Sequence, residues 1–112
     1  MELLKLRRKV HHDLKDIMYF EADTNYTKIY FKCGKCTTES FTLKEVERAL
    51  MTNQFFYRVN RSCIVNIKFV KAADESKVHL KNKLSMTVSR RRKENQQVWL
   101  STFGTHLLPI SN

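Results

Sequence analysis

Short runs of residues that favour β-strands, separated by polar turns, recur along this chain of 112 residues. The segment Tyr26 to Lys32 alternates apolar and polar side chains, which is the pattern of a strand with one buried face. Ile17 to Ala22 and Leu84 to Val88 are two further runs of this type, and residues 4–10 form a charged first one. The pattern predicts a mainly β fold of short antiparallel strands.

One helix is signalled between these strands. Thr42 is a suitable N-terminal cap, and Glu45 stands three residues later, which is the spacing of a capping box. Leu43, Val46 and Leu50 then recur on one helical face. We therefore expect one short amphipathic helix at this point of the chain.

The domain organisation follows from the scarcity of chain breakers. With only two Gly and one Pro in the sequence, no flexible linker divides the chain. We predict one folded domain over residues 1–96 and a C-terminal extension over residues 97–112. In the tail, Trp99 falls near Phe103 and Gly104 could serve as a C-cap. The tail is expected to be either a second helix or a loosely docked extension.

Positive charge is concentrated in the second half of the sequence. The formal net charge is +10, and the calculated isoelectric point is near 9.8. Up to Phe56, ten Lys and Arg face eight Asp and Glu, whereas from Tyr57 onward eleven face three. Such a balance favours an acidic partner, with nucleic acid ahead of an anionic membrane surface.

The sequence contains no signal for membrane insertion or export. No apolar run approaches the roughly 18 residues that a spanning helix requires. The first ten residues alternate Leu with Lys and Arg, unlike the apolar centre of a signal peptide. Three cysteines, an odd number, fit a reducing compartment. We expect a cytoplasmic protein without a membrane partner.

The tripeptide Asn60-Arg61-Ser62 is the first candidate binding segment. It lies between two apolar stretches, Phe55-Phe56 and Ile64-Val65, whose burial would hold it rigidly at the surface. Arg can bond to guanine with two hydrogen bonds, and Asn can do the same to adenine. A polar turn, with Arg58 or Arg61 paired to a carboxylate, is an equally weighted interpretation of the tripeptide alone.

The second candidate is the run from Ser89 to Lys93, with Arg90, Arg91 and Arg92 between them. Four adjacent cations repel one another unless a polyanion neutralises them. The run follows a strand abruptly, which favours binding to phosphate over a solvated loop that leads into the tail. A third, weaker candidate is the turn around Asn25, together with Thr27 and Lys28, because turns are usually polar for backbone reasons.

Two other kinds of site find little support in the sequence. Cys33 and Cys36 have the spacing of one half of a zinc site, but a second cysteine pair is missing. A plain hairpin turn with two thiols is the favoured interpretation. Neither a nucleophile motif nor a glycine-rich phosphate loop is present. We therefore expect no enzyme activity, no cofactor and no metal.

Several separated segments occur in a characteristic order. They are Asp16-Ile-Met-Tyr-Phe-Glu-Ala22, Asn25-Tyr-Thr-Lys28, Thr42-Leu-Lys-Glu-Val-Glu47, Phe56-Tyr-Arg-Val-Asn-Arg-Ser-Cys-Ile-Val-Asn66 and Val88-Ser-Arg-Arg-Arg92. This series resembles the LytTR DNA-binding domain from about residue 13 to residue 93. The resemblance implies an elongated antiparallel β–β–β sandwich with one short helix. It also implies that loops, not a recognition helix, enter the major groove of DNA at two successive turns.

The same resemblance implies roles for individual residues. The base-reading positions of the family correspond to Thr27, Arg61 and Arg90, although Thr27 is shorter than the side chain that is usual there. Many members of the family have histidine where this chain has Asn60. Contacts to the DNA backbone, or secondary contacts, are implied for Asn25, Lys28, Asn60, Ser62, Ser89, Arg91, Arg92 and Lys93.

The resemblance finally implies a biological setting. LytTR domains are usually the output half of bacterial response regulators in two-component systems, with a receiver domain ahead of them in the parent chain. Two copies bind paired direct repeats in double-stranded DNA near a promoter, which predicts a homodimer on DNA and a role in transcription regulation.

The alternative from the residues themselves is a non-enzymatic β module that binds RNA or an anionic surface. Its strands carry aromatic side chains, as a stacking platform for bases would. Against this alternative, the alternation of residues predicts that Tyr19, Phe20 and Phe31 point into a core.

Overall fold

A computed structural model describes residues 3–6, 9–74 and 76–103 of the chain. Within these residues, ten short strands form three antiparallel sheets, and two α-helices accompany them. The principal dimensions are 43 × 28 × 23 Å, so the molecule is elongated. The strands are β1 (Leu3–Leu6), β2 (Lys9–Asp13), β3 (Ile17–Asp23), β4 (Tyr26–Phe31), β5 (Cys36–Glu39), β6 (Phe56–Arg58), β7 (Cys63–Asn66), β8 (Val70–Ala73), β9 (Lys77–Leu80) and β10 (Ser85–Thr87); the helices are α1 (Leu43–Ala49) and α2 (Lys93–Phe103).

The mainly β, antiparallel architecture predicted from the sequence is confirmed. The central sheet has five strands in the order β5-β4-β3-β7-β6, a second sheet has the order β10-β9-β8, and β1 pairs with β2. The charged first segment thus folds as a hairpin and not as one strand. The predicted cap at Gly104 lies outside the described residues.

An irregularity in β3 gives the central sheet two buried faces. The register between β3 and β4 shifts between Ile17 and Tyr19, as it does at a β-bulge. Because of this shift, Ile17 and Phe20 face one apolar core, whereas Met18 and Tyr19 face a second core on the other side. Four consecutive residues of β3 are therefore buried.

Helix α1 covers the first face of the central sheet. Its capping box is present as predicted: the Thr42 hydroxyl accepts from the Glu45 backbone N–H at 3.2 Å, and the Glu45 carboxylate accepts from the Thr42 N–H at 2.7 Å. Leu43 and Val46 then pack into the core that contains Phe20. The helix thus docks at a fixed position, which orients its polar side chains.

The second sheet and α2 cover the opposite face. Val78 and Leu80 of β9 pack with Val65 of β7 in the second core. Trp99 anchors α2 there, since its ring stacks on Tyr57 at a centroid distance of 5.1 Å and its indole N–H donates to the Gln54 carbonyl at 2.7 Å. Of the two forms expected for the tail, the helix is the one found, from Lys93 to Phe103.

A buried amide holds the chain where it passes from the central sheet to the second sheet. Asn66 is 1% exposed; its side-chain N–H donates to the Ile17 carbonyl at 3.0 Å, and its side-chain oxygen accepts from the Lys68 N–H at 3.0 Å. Because both polar groups are paired, this residue fixes the 3-10 turn that joins β7 to β8 at little desolvation cost.

Candidate nucleic-acid interface

Three loops lie at one edge of the sandwich, and hydrogen bonds connect the second of them to the third loop and to the strand that leads into the first. The first is the β3–β4 turn, in which Asp23 pairs with Tyr26, so that Thr24 and Asn25 form its tip. The second is the β6–β7 loop, residues 59–62, and the third follows β10, residues 88–92. We call this edge the loop rim.

Backbone hydrogen bonds join the second loop to both of its neighbours. The Ala22 N–H, at the end of β3, donates to the Ser62 carbonyl at 2.8 Å, and the Ser89 N–H donates to the Val59 carbonyl at 2.9 Å. The Asn60 side-chain amide adds a further link, because it donates to the Thr87 carbonyl at 2.7 Å. The loop rim is therefore one connected surface, although its parts are separated by tens of residues in sequence.

The guanidinium group of Arg58 supports the second loop from within. It donates to the Asn60 carbonyl at 3.3 Å and to the Arg61 carbonyl at 2.7 Å. The same group forms an ion pair with Glu47 of α1 at 2.9 Å. The backbone of this loop therefore folds around the Arg58 side chain, which also connects the loop to α1 through Glu47.

The third loop is held by comparable contacts. The Tyr57 hydroxyl donates to the Arg92 carbonyl at 2.7 Å. The Arg92 guanidinium donates to the Arg58 carbonyl and pairs with Glu47, both at 3.3 Å. These contacts fix the short 3-10 helix Arg90–Arg92 against β6.

The carboxylate of Glu47 lies between these two arginines. Burial alone would raise the pKa of this carboxyl group, but the hydrogen bond from Arg58 and the positive charges of both guanidinium groups outweigh it. The net effect lowers the pKa of Glu47 below its ordinary value. The group is therefore ionised near neutral pH, where it balances part of the charge inside the cluster.

Three other guanidinium groups of the loop rim are accessible to an external partner. Arg61, Arg90 and Arg91 are exposed, and none of them forms an ion pair with any of the residues that the structure describes. Solvated arginines on a rigid, connected support suit the recognition of phosphate oxygens and base edges.

A family comparison agrees with this geometry. The model of the LytTr DNA-binding domain matches residues 7–101. The chain belongs to this family. It is thus a DNA-binding domain, as its resemblance to the family predicted, and the family is not one of enzymes.

The solved structures show the same fold. One that is similar is the LytTr DNA-binding domain of a Bacillus cereus protein described as a methyl-accepting/DNA response regulator. The TM-score is 0.69 at 24% sequence identity, and the match covers 88% of this chain and 94% of the other. A comparison with curated proteins finds no match.

Thr27, a predicted base-reading residue, lies inside the protein. Its side chain is 0% exposed, and its hydroxyl donates to the Phe41 carbonyl at 2.7 Å in the core beneath α1. This position does not favour the predicted base contact of Thr27, because the alternation of β4 turns the residue inward. Lys28, the next residue, faces the other way and lies 4.0 Å from the Asp23 carboxylate.

Asn60 and Arg92 were also expected to contact DNA, but their polar groups are engaged within the protein. Besides the bond to Thr87, the Asn60 amide accepts from the Ser62 N–H at 2.7 Å. Arg92 is only 17% exposed and belongs to the Glu47 cluster. Asn25 and Ser62 are exposed at the loop rim, and Ser89 and Lys93 are half-buried there.

The sequence interpretation missed Glu47, and it left open whether Arg58 or Arg61 pairs with a carboxylate; Arg58 is the one that does. Glu47 and Arg58 both stand inside segments that resemble the family, but neither spacing nor residue type distinguishes an internal arginine from an external one. The one available signal was the position of Arg58 two residues after Phe56, a residue expected to be buried, because alternate residues of a strand share a face. A cavity of about 450 Å3 opens beside this cluster, and its wall includes Lys44 and Arg48.

The remaining candidates have different surroundings. Tyr19, Phe20 and Phe31 are buried, so they do not form an exposed stacking platform. Cys33 and Cys36 are exposed free thiols at the β4–β5 turn. Within residues 3–6, 9–74 and 76–103, no group of three or more metal-binding side chains is found, and no helix is long and apolar enough to cross a membrane.

Proposed function

We propose that this LytTR domain recognises a specific sequence in double-stranded DNA by placing the loops that carry Arg61 and Arg90 in the major groove. The observation that carries the proposal is the hydrogen-bonded contact between these two loops, which leaves their arginines exposed on one rim. A guanidinium group can donate two hydrogen bonds to guanine, and such a pair contributes about 1–3 kcal/mol of discrimination.

Other residues at or beside the rim, some exposed and some half-buried, are assigned to the sugar-phosphate backbone. Arg91 and Lys93 supply charge, and Ser62, Ser89 and Asn25 supply hydrogen-bonding groups beside them. Lys28, which lies on β4 after the turn, is assigned to the backbone as well, but its pairing with Asp23 reduces the charge it offers. Contacts of this kind fix the orientation of a protein on DNA, whereas base contacts provide the specificity.

The proposal extends to the parent protein as a transcription regulator of the cytoplasm. The domain would act as the output half of a response regulator, joined to a receiver domain, with two copies on paired direct repeats at a promoter. Family membership and the similar Bacillus cereus domain support this setting. The concentration of positive charge from Tyr57 onward supports a polyanionic partner.

Selection of bound sites from a pool of random duplexes tests the proposal directly. We expect enrichment of one short motif, present once or as two copies at a fixed spacing. A pool that stays random after repeated selection, with retention that depends only on salt, would contradict sequence-specific binding.

A competition experiment separates duplex DNA from the two alternative partners. Labelled duplex bound to the protein is challenged with the selected duplex, single-stranded RNA and vesicles of anionic lipid at equal phosphate concentration. We expect only the duplex to compete efficiently, because Tyr19, Phe20 and Phe31, which an RNA-stacking platform would need at the surface, are buried in the two cores. Stronger competition by RNA or by vesicles would overturn the proposal.

A further inference from the structure

A single carboxylate connects the two loops that carry the exposed arginines. One oxygen of Glu47 pairs with Arg58 at 2.9 Å, and the other pairs with Arg92 at 3.3 Å. Arg58 precedes the β6–β7 loop, and Arg92 ends the loop after β10. Glu47 itself lies on α1, a different element that is docked independently in the first core through Leu43 and Val46.

The contacts of Arg58 couple the position of the β6–β7 loop to the position of Glu47. Each of its three guanidinium nitrogens has a different partner, namely Glu47, the Asn60 carbonyl and the Arg61 carbonyl. A rotation of the planar group that kept one of these bonds would break another. The position of the Arg61 backbone is therefore coupled to the position of the Glu47 carboxylate.

Arg92 provides the matching connection on the other loop. Its guanidinium bonds to Glu47 and to the Arg58 carbonyl, while its own carbonyl accepts from Tyr57. Arg90 and Arg91 belong to the same short 3-10 helix as Arg92. A shift of Arg92 would therefore move both exposed arginines of this loop.

A carboxylate close to a DNA-binding rim carries an electrostatic cost. It repels phosphates and lowers the affinity for any duplex, whatever its sequence. Charge balance alone would not require a bridging position, because a carboxylate paired with either arginine would neutralise the same charge. The bridge therefore indicates a function in geometry.

We infer that Glu47 is a positioning residue that sets the spacing between the Arg61 loop and the Arg90 loop, and thereby determines how well this domain distinguishes its own site from other DNA. The inference rests on the proposed function, since it assigns base reading to those two loops. Glu47 acts through Arg58 and Arg92 and needs no contact with DNA.

The test compares three variants of the full chain on the selected duplex and on a random duplex. Glu47→Gln removes the charge and the bridge, and Glu47→Asp keeps the charge but shortens the reach. Glu94→Gln is the control, because it also removes one carboxylate, from an exposed position on α2 without an ion pair in the part of the chain that the structure describes.

The expected effects on the two duplexes have opposite signs. Glu47→Gln should bind the selected duplex more weakly and the random duplex slightly more tightly, so that the ratio of the two affinities falls about tenfold, or about 1.4 kcal/mol. Glu47→Asp should lower the ratio without tightening the random complex. Glu94→Gln should leave the ratio unchanged. An unchanged ratio in both Glu47 variants would overturn the inference.

Two further measurements exclude a general loss of structure. In a background that lacks both Arg61 and Arg90 side chains, Glu47→Gln should not lower the ratio further, whereas a variant that merely unfolds would weaken binding in every background. Without DNA, amide hydrogen exchange should quicken at residues 59–62 and 89–92 in Glu47→Gln and stay slow in the strands. Exchange that quickens throughout the chain, or not at all, would contradict the coupling.

These measurements also distinguish the inference from the proposed function. If the unaltered protein shows no sequence preference, the proposed function fails, and the exchange experiment still decides whether Glu47 couples the two loops. If the preference exists but does not depend on Glu47, only the inference fails.

Discussion

The inner and outer arginines of the loop rim use the same chemical group in opposite ways. Arg58 and Arg92 have side chains that are only 16% and 17% exposed, and both pair with Glu47. Arg61 and Arg90 lie within three residues of them in sequence, yet both are exposed. The inner pair supports the backbone of the loops, and the outer pair is free to meet a partner.

The comparison shows why charge alone is a poor guide to a binding site. All of these residues contribute to the net charge of +10, but a guanidinium that already donates to carbonyls and a carboxylate has little left to offer a phosphate. The inner arginines should therefore determine stability, and the outer ones should determine affinity and specificity.

The largest effect is expected for Arg58→Ala. This change removes an ion pair and two bonds to loop carbonyls, so the free energy of unfolding should fall by about 2–3 kcal/mol. Arg91→Ala is the control from the outer group and should change it by less than about 0.5 kcal/mol. Urea unfolding at neutral pH measures both, and equal losses would remove the distinction between inner and outer arginines.

Next in size is the loss of DNA affinity in Arg61→Ala and Arg90→Ala. Each should cost about 1–3 kcal/mol on the selected duplex and much less on random DNA, with stability almost unchanged. Lys93→Ala, by contrast, should weaken both complexes about equally, as a phosphate contact does. Equal losses on the two duplexes for Arg61→Ala would remove that residue from base reading.

A smaller effect, on stability alone, is expected for Thr27→Val. The change removes the hydrogen bond from the Thr27 hydroxyl to the Phe41 carbonyl inside the first core, which should cost about 1 kcal/mol. Binding to DNA should stay the same, because Thr27 is fully buried. Thr38→Val, at an exposed position on the neighbouring strand, is the matched control. A clear loss of affinity in Thr27→Val would restore its role as a DNA contact.

The smallest effect is a contribution of Glu47 to the pH dependence of stability. Because the folded state lowers the pKa of this carboxyl group, its contribution is present above the ordinary value of 4.5 and is lost as the pH falls through the lowered one. Glu47→Gln should therefore flatten the acid limb of a stability curve recorded by urea unfolding. Glu94→Gln is the charge-matched control. An acid limb that keeps its shape in Glu47→Gln would show that the ion pairs of Glu47 with Arg58 and Arg92 contribute nothing to the pH dependence of stability.

Much of the fold could be predicted from the sequence because it rests on local signals. The capping box at Thr42 and the alternation in β4 each need only neighbouring residues, and both were found as expected. The β-bulge near Met18 was not predictable, since the same four apolar residues fit an unbroken strand equally well. The four residues are divided between the two cores only by the register shift between β3 and β4, which is a property of the pairing of the strands.

The candidate site was predictable to a lesser degree. The surface positions of Arg61 and Arg90 followed from their polar surroundings, but the same reasoning placed Thr27, Asn60 and Arg92 beside them. Thr27 is polar and close to a turn, yet its position in the alternation buries it. Nothing local shows that the Asn60 amide is used up by Thr87 and Ser62.

The sequence by itself determined the class of fold, the family and the acidic nature of the partner, because strand periodicity, motif order and net charge are properties of the chain alone. The tertiary structure alone decided which arginines face outward. Two loops about thirty residues apart must first meet at one rim, and Glu47 must reach both of them, before any guanidinium group acquires an internal partner or is left without one.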